Sequence, residues 1–404
     1  MDVKGAYLNG TIKEEIYMKQ PDGYDDKTGR LCRLIKSLYG LKQAGREWND
    51  EFNKQLETHG WRPTKVDPCA YFKRTAEGIT IIAVWVNDLL IFASLKALMN
   101  AVKLELQSIF EVTDLGEPTK IVGIEIDRDR ARGTLTISQK QYIEALLEKE
   151  GLQNGNSVAT PMDPSTKLYP SEGESEGRSN AYASLIGSLM YLAVATRPDI
   201  AYAVYRLGSF MANPDMSHWT AAKRILRYLS GTREYGITYR AETRPGEAQF
   251  VGYADTSYAC NDDSTSVSGY VFIMSGGAIT WASQKQNNVT LSTTESEYSA
   301  MADAAKEVVW LRNLFEGLEY NLPRATKLYG DNSGALAIAK NPQYHKRSKH
   351  FNTKHHWTRE RVREGTIEAL WCPTADMMAD ILTKALAKPK HQHHLKRLGM
   401  LTLP

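Results

Sequence analysis

The sequence predicts a chain of several domains in which α+β and α/β architecture follow one another, and three observations carry that expectation. Its 404 residues are 42% hydrophobic, long and apolar enough for two or three separate cores. The first third mixes short β-rich runs with charged helical stretches. The last third reads as three strands, a long helix, and then alternating strand and helix, which is the rhythm of an α/β layer.

Along the chain, the best strand signal is residues 79–86, resumed at 89–92, and two apolar runs around the turn-forming pair Asn87-Asp88 predict a hairpin. An amphipathic segment covers residues 138–151. The polar, glycine-spaced run 171–177 has nothing to bury, so it is expected to be a linker and a domain boundary is placed there. Helices dominate residues 181–239. In that stretch Trp219, Ala222, Leu226 and Leu229 recur at helical spacing, with Lys223, Arg224 and Arg227 largely on the other side. A solvated face is the plainer reading of those cations, and a nucleic-acid track the alternative. Residues 249–254 open the last third as a strand, and strands 269–274 and 278–281 are joined by Ser275-Gly276-Gly277 as a hairpin turn. A helix over about 293–318 carries Met301, Ala304, Val308, Leu311 and Phe315 as its apolar stripe. A strand at 327–330, a helix from Ser333, a strand at 366–372 and a helix over 376–386 complete the order.

Composition excludes several classes. Lys and Arg number 50 against 47 Asp and Glu, a formal charge of +3, so bulk charge does not identify a nucleic-acid partner. Cys32, Cys69, Cys260 and Cys372 lie far apart with no C-x-x-C spacing, which argues against a zinc site or a disulfide framework and for reduced intracellular thiols. The first residues carry Asp2 and Lys4 and no long apolar run, and the longest apolar span, near 185–194, is too short for a bilayer. A soluble protein without a membrane partner is expected.

The chemistry is concentrated in acidic residues of the last third. Two-metal hydrolysis of a phosphodiester needs divalent ions about 3.5–4 Å apart, which only several converging carboxylates can hold. Asp255 is expected to end the first strand of this region, Glu297 to sit in the first turn of the long helix, Asp331 to end the fourth strand and Asp380 to lie early in the final helix. Strand ends and helix starts are where an α/β sheet presents groups to a ligand, so these four could meet at one edge. Taken singly, Asp255 and Asp331 read as turn residues, Glu297 as a first-turn acid favourable to the helix dipole and Asp380 as a surface acid. The densest basic run holds Lys346, Arg347, Lys349, Lys354, Arg359, Arg361 and Arg363, with Phe351 and Trp357 interleaved. It suits a phosphate backbone; a solvated loop and helix is the plain alternative. His391, His393 and His394 read as a polar tail rather than a metal tract.

Four stretches carry a family resemblance: Tyr253-Ala254-Asp255, Ser292-Thr293-Thr294-Glu295-Ser296-Glu297-Tyr298, Tyr329-Gly330-Asp331-Asn332 and Ala379-Asp380-Ile381-Leu382-Thr383-Lys384. In this order they resemble the ribonuclease H domain of copia-type retrotransposons. The resemblance implies acidic metal ligands at Asp255, Glu297, Asp331 and Asp380, two Mg2+ or Mn2+ ions per site, and an RNA–DNA hybrid as nucleic-acid partner. Glu295 is the rival of Glu297, since the two cannot point the same way on a helix. Glu297 is favoured because Tyr298-Ser299-Ala300-Met301 continues the helix as the family does.

The first half resembles the reverse transcriptase palm of the same family through Asp2-Val3-Lys4-Gly5-Ala6-Tyr7-Leu8-Asn9-Gly10, Ser37-Leu38-Tyr39-Gly40-Leu41-Lys42-Gln43-Ala44, Thr113-Asp114-Leu115-Gly116 and Val122-Gly123-Ile124-Glu125-Ile126. Gly187-Ser188-Leu189-Met190-Tyr191 through Thr196-Arg197-Pro198-Asp199 resembles its connecting region. This implies catalytic metal ligands at Asp2 and Asp88, Tyr7 as the residue that screens the sugar of an incoming nucleotide, and Gln43 as a further binding position. Domains are expected as palm 1–135, thumb or connection 136–248 with a linker at 165–180, ribonuclease H-like 249–386 and a basic, His-rich tail 387–404.

Two departures shape the functional expectation. Where the family's palm hairpin carries two adjacent aspartates, this chain reads Asn87-Asp88, and a neutral amide holds a divalent ion poorly. Met1 directly precedes Asp2, so the fingers, like the protease and integrase regions, are expected to be missing. The expected molecule is therefore a Pol fragment with ribonuclease H activity and without polymerase activity, in the cytoplasm within element particles or in the nucleus. The competing expectation is a non-catalytic nucleic-acid-binding or assembly remnant.

Overall fold

The computed structural model describes residues 1–171, 179–241, 249–261, 263–340 and 353–402, without the side chains of 353–356. The chain divides into two compact units, residues 1–118 with 316–319, and residues 119–315 with 320–404.

The first unit is built on a six-stranded antiparallel sheet in the order Arg62–Pro63, Ala70–Thr75, Gly78–Trp85, Asp88–Ala93, Asp2–Val3, Val112–Thr113. Helix Ala44–Thr58 offers Trp48, Phe52 and Leu56 at i, i+4 and i+8, and helix Lys96–Ile109 offers Leu98, Val102 and Leu106. Most of these enter one core with Val3, Trp61, Tyr71, Ile82, Leu89 and Phe110, where Phe52 and Phe110 stack with centroids 5.4 Å apart. Each such burial contributes about 1.5–3 kcal/mol. The expected hairpin turns one residue early: Trp85 pairs with Asp88, so Val86 and Asn87 make the turn and Asp88 opens the return strand. Val86 has φ 56°, a conformation that a β-branched residue rarely adopts. The Trp48 indole donates to the Val86 carbonyl at 2.7 Å and the Val3 amide to the Asn87 carbonyl at 2.8 Å, and these bonds hold the strained tip.

The second unit contains two five-stranded sheets. One is antiparallel, in the order Met400–Thr402, Tyr235–Arg240, Thr134–Ser138, Ile124–Asp129, Lys120–Ile121. The other runs Gly277–Lys285, Val267–Met274, Phe250–Ser257, Thr326–Gly330, Ile367–Trp371; its first three strands are antiparallel and its last two run parallel to Phe250–Ser257. Phe250, Ala254, Phe272 and Leu328 pack against Tyr298, Met301, Ala304, Val308 and Leu311 of the helix Thr293–Gly317 and against the helix Ser333–Lys340. Val271 and Ala278 join a second core with the helices Ser179–Ala195, Ala201–Gly208 and Met216–Gly231.

That shared core moves the expected boundaries. Residues 172–178, where a linker is expected, lie outside the described ones; Ile143, Leu146, Met162 and Leu168 before them and Tyr182, Leu185 and Leu189 after them belong to one cluster. The break comes at 118/119 rather than 135, because the strands 124–129 and 134–138 pair with Tyr235–Arg240 of the later chain. Within the stretch 181–239, where helices are expected to dominate, the last residues belong instead to the strand Tyr235–Arg240. On helix Met216–Gly231, Lys223 is exposed, whereas Arg224 donates to Thr160 Oγ1 at 3.1 Å and Arg227 to the Asn156 carbonyl at 2.7 Å. Two of the three outer cations thus clasp a neighbouring segment. Between the helices, fully buried Arg197 pairs with Asp199 at 2.7 Å and donates to the Thr232 carbonyl, and Tyr228 donates to Asp199 at 2.6 Å.

The expected tail is also part of the fold. Helix Lys388–Arg397 and strand Met400–Thr402 are packed into the second unit, with Leu395, Leu398 and Met400 in its core. The imidazoles of His391 and His394 are buried, and burial keeps both below the usual histidine range, His394 at about 4. They are neutral core groups, not a polar tail. All four cysteines are unpaired. Among the described residues no helix is long and apolar enough to cross a membrane.

Candidate active site

Asp255 lies inside the strand Phe250–Ser257 rather than at its end, with Gly269 of the adjacent strand as its cross-strand partner. A Cβ on Gly269 would stand 2.8 Å from both Leu382 Cβ and Thr383 Cγ2. This glycine therefore lets the chain that carries Asp380 press onto the sheet beside Asp255. That chain is not the expected helix 376–386 but the 3-10 turns Thr374–Asp376 and Met378–Leu382. Glu297, 6% exposed, is the fifth residue of its helix, one turn in rather than in the first turn. Asp331 directly follows the strand Thr326–Gly330, as expected; its Oδ2 accepts from Thr374 Oγ1 at 2.8 Å and its carbonyl from the Trp371 indole at 3.2 Å.

One carboxylate oxygen from each of Asp255, Glu297 and Asp331 lies within 4.8 Å of the other two. Glu295 points elsewhere, its Oε2 accepting from the Leu291 amide at 2.8 Å. Asp380 does not complete the trio. It is fully buried and paired with two ammonium groups: Lys384 Nζ stands 2.6 Å from Oδ1, and Lys390 Nζ meets Oδ2. Lys384 also stands 3.6 Å from Asp255 Oδ2, an oxygen that accepts from the Thr383 hydroxyl.

The electrostatics follow this division. Burial, reinforced by Asp380 and Asp331 against the pull of Lys384, raises the Asp255 carboxyl to about 7. Burial, then Asp255 and Asp331, raises Glu297 to about 9. Burial pushes Asp380 upward too, but Lys384 and Lys390 outweigh it and hold this carboxyl below its usual value. Crowded, buried carboxylates held above their ordinary range are stabilised in the charged form by a cation, and an all-oxygen donor set suits a hard divalent ion. The trio fits such an ion.

Several residues that sequence reasoning missed build the site. Gln286 Nε2 donates to Ser268 Oγ at 2.8 Å and to the Ser296 carbonyl at 2.9 Å, while Ser296 Oγ and Thr256 Oγ1 stand 2.7 Å apart. Neighbours of Asp255 and Glu297 are thereby tied together. Lys384, which pairs with Asp380, left a signal in its i+4 spacing from that acid.

In the first unit Asp2 and Asp88 are direct cross-strand partners, and the Asn87 amide donates to Asp2 Oδ1. Tyr7 lies in the 3-10 turn Ala6–Asn9 with its ring centroid 4.6 Å from that of Tyr39. Gln43 precedes the helix Ala44–Thr58, and its carbonyl accepts from the Arg46 and Glu47 amides at 3.0 Å. Of the basic run, the side chains of Arg359, Arg361 and Arg363 are described. Arg359 donates to the Ile338 carbonyl at 3.1 Å; Arg361 pairs with Glu364 at 3.1 Å and lies over the Trp357 ring; Arg363 is exposed. Lys346, Arg347 and Lys349 lie outside the described residues, as does the side chain of Lys354.

The family described as reverse transcriptase (RNA-dependent DNA polymerase) matches residues 1–164. The chain is 39% identical over 410 residues to the retrovirus-related Pol polyprotein from transposon TNT 1-94 of Nicotiana tabacum, across 99% of this chain and 30% of that one. It is 33% identical over 312 residues to a transposon Ty5-1 protein of Saccharomyces cerevisiae, across 76% of this chain and 100% of that one. The solved N-terminal RNase H domain of rv2228c from Mycobacterium tuberculosis, fused to maltose binding protein, is 13% identical with a TM-score of 0.25, across 37% of this chain and 97% of that chain. The chain belongs to the copia-type retrotransposon Pol polyprotein family. It spans about 30% of the length of the tobacco polyprotein.

Proposed function

We propose that this chain is a metal-dependent ribonuclease H that cuts the RNA strand of an RNA–DNA hybrid, joined to a palm that does not polymerise. The observation that carries the reading is the convergence of Asp255, Glu297 and Asp331, from a strand, a helix and a strand end, within 4.8 Å of one another. These three, with Asp380 beside them, would hold the divalent ions, Mg2+ or Mn2+. When bound, such ions supply an activated water and stabilise the leaving oxygen. The chain's own groups prepare that chemistry. Asp255 and Glu297 give up protons as they take on a ligand role. The Thr374 hydroxyl orients Asp331 and the Thr383 hydroxyl orients Asp255. Trp371, exposed at the end of its strand and bonded to the Asp331 carbonyl, offers a flat apolar surface to a sugar or base. With carboxylates facing the phosphate, the duplex is read by shape and backbone. Arg363, Lys346, Arg347, Lys349 and Lys354 are the proposed phosphate contacts; Arg359 and Arg361 act first within the fold.

For the palm, the Asn87 amide on Asp2 favours a non-polymerising remnant in which Asp2, Asp88, Tyr7 and Gln43 keep their places without turnover. The purified chain with magnesium is expected to cleave a labelled hybrid and to leave a primed template unextended. Primer extension by the unaltered chain overturns the second half of this proposal. Intact hybrid overturns the first half and extends the non-catalytic reading to the whole chain.

A further inference from the structure

The four acids of the proposed nuclease site are not equivalent. Asp255, Glu297 and Asp331 face one another with, among the described residues, one ammonium group at their edge, whereas each oxygen of Asp380 already meets a lysine. We propose that Lys384 is a resident cation standing in the place of a second divalent ion, so that the substrate-free site takes up one ion and admits another only when this ammonium leaves Asp380. The inference rests on the nuclease reading above and concerns only how that site is loaded.

Three features support it. First, Lys384 Nζ is 2.6 Å from Asp380 and 3.6 Å from Asp255, so it spans the two carboxylates that a second ion would share. A doubly charged ion cannot enter that gap beside an ammonium group without strong repulsion at such distances. Second, Asp380 is immobile. It is fully buried, its amide donates to the Met377 carbonyl, and its own carbonyl accepts from the Thr383 and Lys384 amides, each at 3.2 Å. Third, Lys384 has room to move: its side chain is 38% exposed on a flexible four-carbon stem, so it can swing toward water when another cation takes over its charge on Asp380. The gate is therefore the lysine, and a phosphate arriving with the substrate is the natural counter-charge to draw it away. Lys390 secures the far oxygen of Asp380 and does not reach Asp255 within ion-pair distance, so it neutralises Asp380 without closing the gap.

The test counts ions on the full chain without substrate, by Mn2+ electron paramagnetic resonance with isothermal titration of Mn2+ alongside. The unaltered chain is expected to bind one ion in the second unit and Lys384→Met two, whereas Lys384→Arg, which keeps the charge, stays at one. Lys384→Gln is measured in parallel and carries the same expectation as Lys384→Met if the latter does not fold. Ions held by the first unit are subtracted with an Asp2→Asn, Asp88→Asn background. Two ions on the unaltered chain, or one on the neutral variants, overturn the role of Lys384 and leave the nuclease reading standing if hybrid is cleaved. No ion on any of them, with hybrid left intact, removes the nuclease reading and this inference with it.

Discussion

Of the two acidic clusters in this chain, one relieves its repulsion from within and the other does not. In the first unit Asp2 and Asp88 face each other across paired strands, and the amide of Asn87 at the hairpin tip donates to Asp2. An amide supplies a hydrogen where an aspartate would supply a third charge, so this cluster is satisfied without a metal. In the second unit Asp255, Glu297 and Asp331 converge with two of the three buried, and burial raises Asp255 to about 7 and Glu297 to about 9. That cluster is left in tension. The difference teaches that a count of acids does not define a cation site. Unrelieved repulsion between buried acids does, and among the described residues it is found in the second unit.

The comparison can be broken or sharpened in descending order of effect. Glu297→Gln is expected to abolish hybrid cleavage, while Glu295→Gln, which alters only a bond to the Leu291 amide at the start of the helix, keeps cleavage and costs about 0.5–2 kcal/mol in a denaturant melt. Loss of cleavage in Glu295→Gln with retention in Glu297→Gln would exchange their roles. Asn87→Asp should recreate tension in the first unit: lost donation to Asp2 costs about 1–3 kcal/mol without metal, and added Mn2+ restores part of it. A variant as stable as the parent and blind to Mn2+ would show that the amide relieves nothing.

The smallest effect is on pH dependence. Because the folded-state values of Asp255 and Glu297 lie above those of the unfolded chain, the native state holds more protons than the unfolded state between about pH 4 and the folded values. Stability of the metal-free protein should therefore fall as pH rises, through about 7 for Asp255 and then about 9 for Glu297. Asp380 shifts in the opposite direction, and its contribution is lost only as pH falls through its lowered value, outside that window. Divalent-ion affinity should rise over the same alkaline range, since binding displaces those protons. Thermal melts between pH 6 and 9, with and without Mg2+, check the sign; a metal-free protein that gains stability toward pH 9 would contradict the account.

Local pattern carried much of the architecture. The apolar runs on either side of Asn87, the stripe Met301, Ala304, Val308, Leu311, and the strand before Asp331 all announce themselves within a window of a few residues. Pairing across long separations left no such mark. Nothing in Met400–Thr402 says that it closes a sheet with Tyr235–Arg240, so the last residues read as a tail although His391 and His394 are buried. The site divides along the same line. The acids could be picked from their motifs, but the two lysines on Asp380 and the Gln286 network arise where a tight turn replaces the expected helix and where a side chain bridges strand and helix.

The proposed activity of the second unit is cleavage of RNA paired to DNA by its acids. Its most direct measurement is magnesium-dependent hydrolysis of a strand-labelled RNA–DNA hybrid by the purified full chain, with single-stranded RNA as control and Asp331→Asn alongside. Cleavage of the hybrid's RNA strand alone, abolished by chelation and by Asp331→Asn, is expected. A hybrid left intact, or RNA cut equally well when single-stranded or by the Asp331→Asn protein, would contradict it.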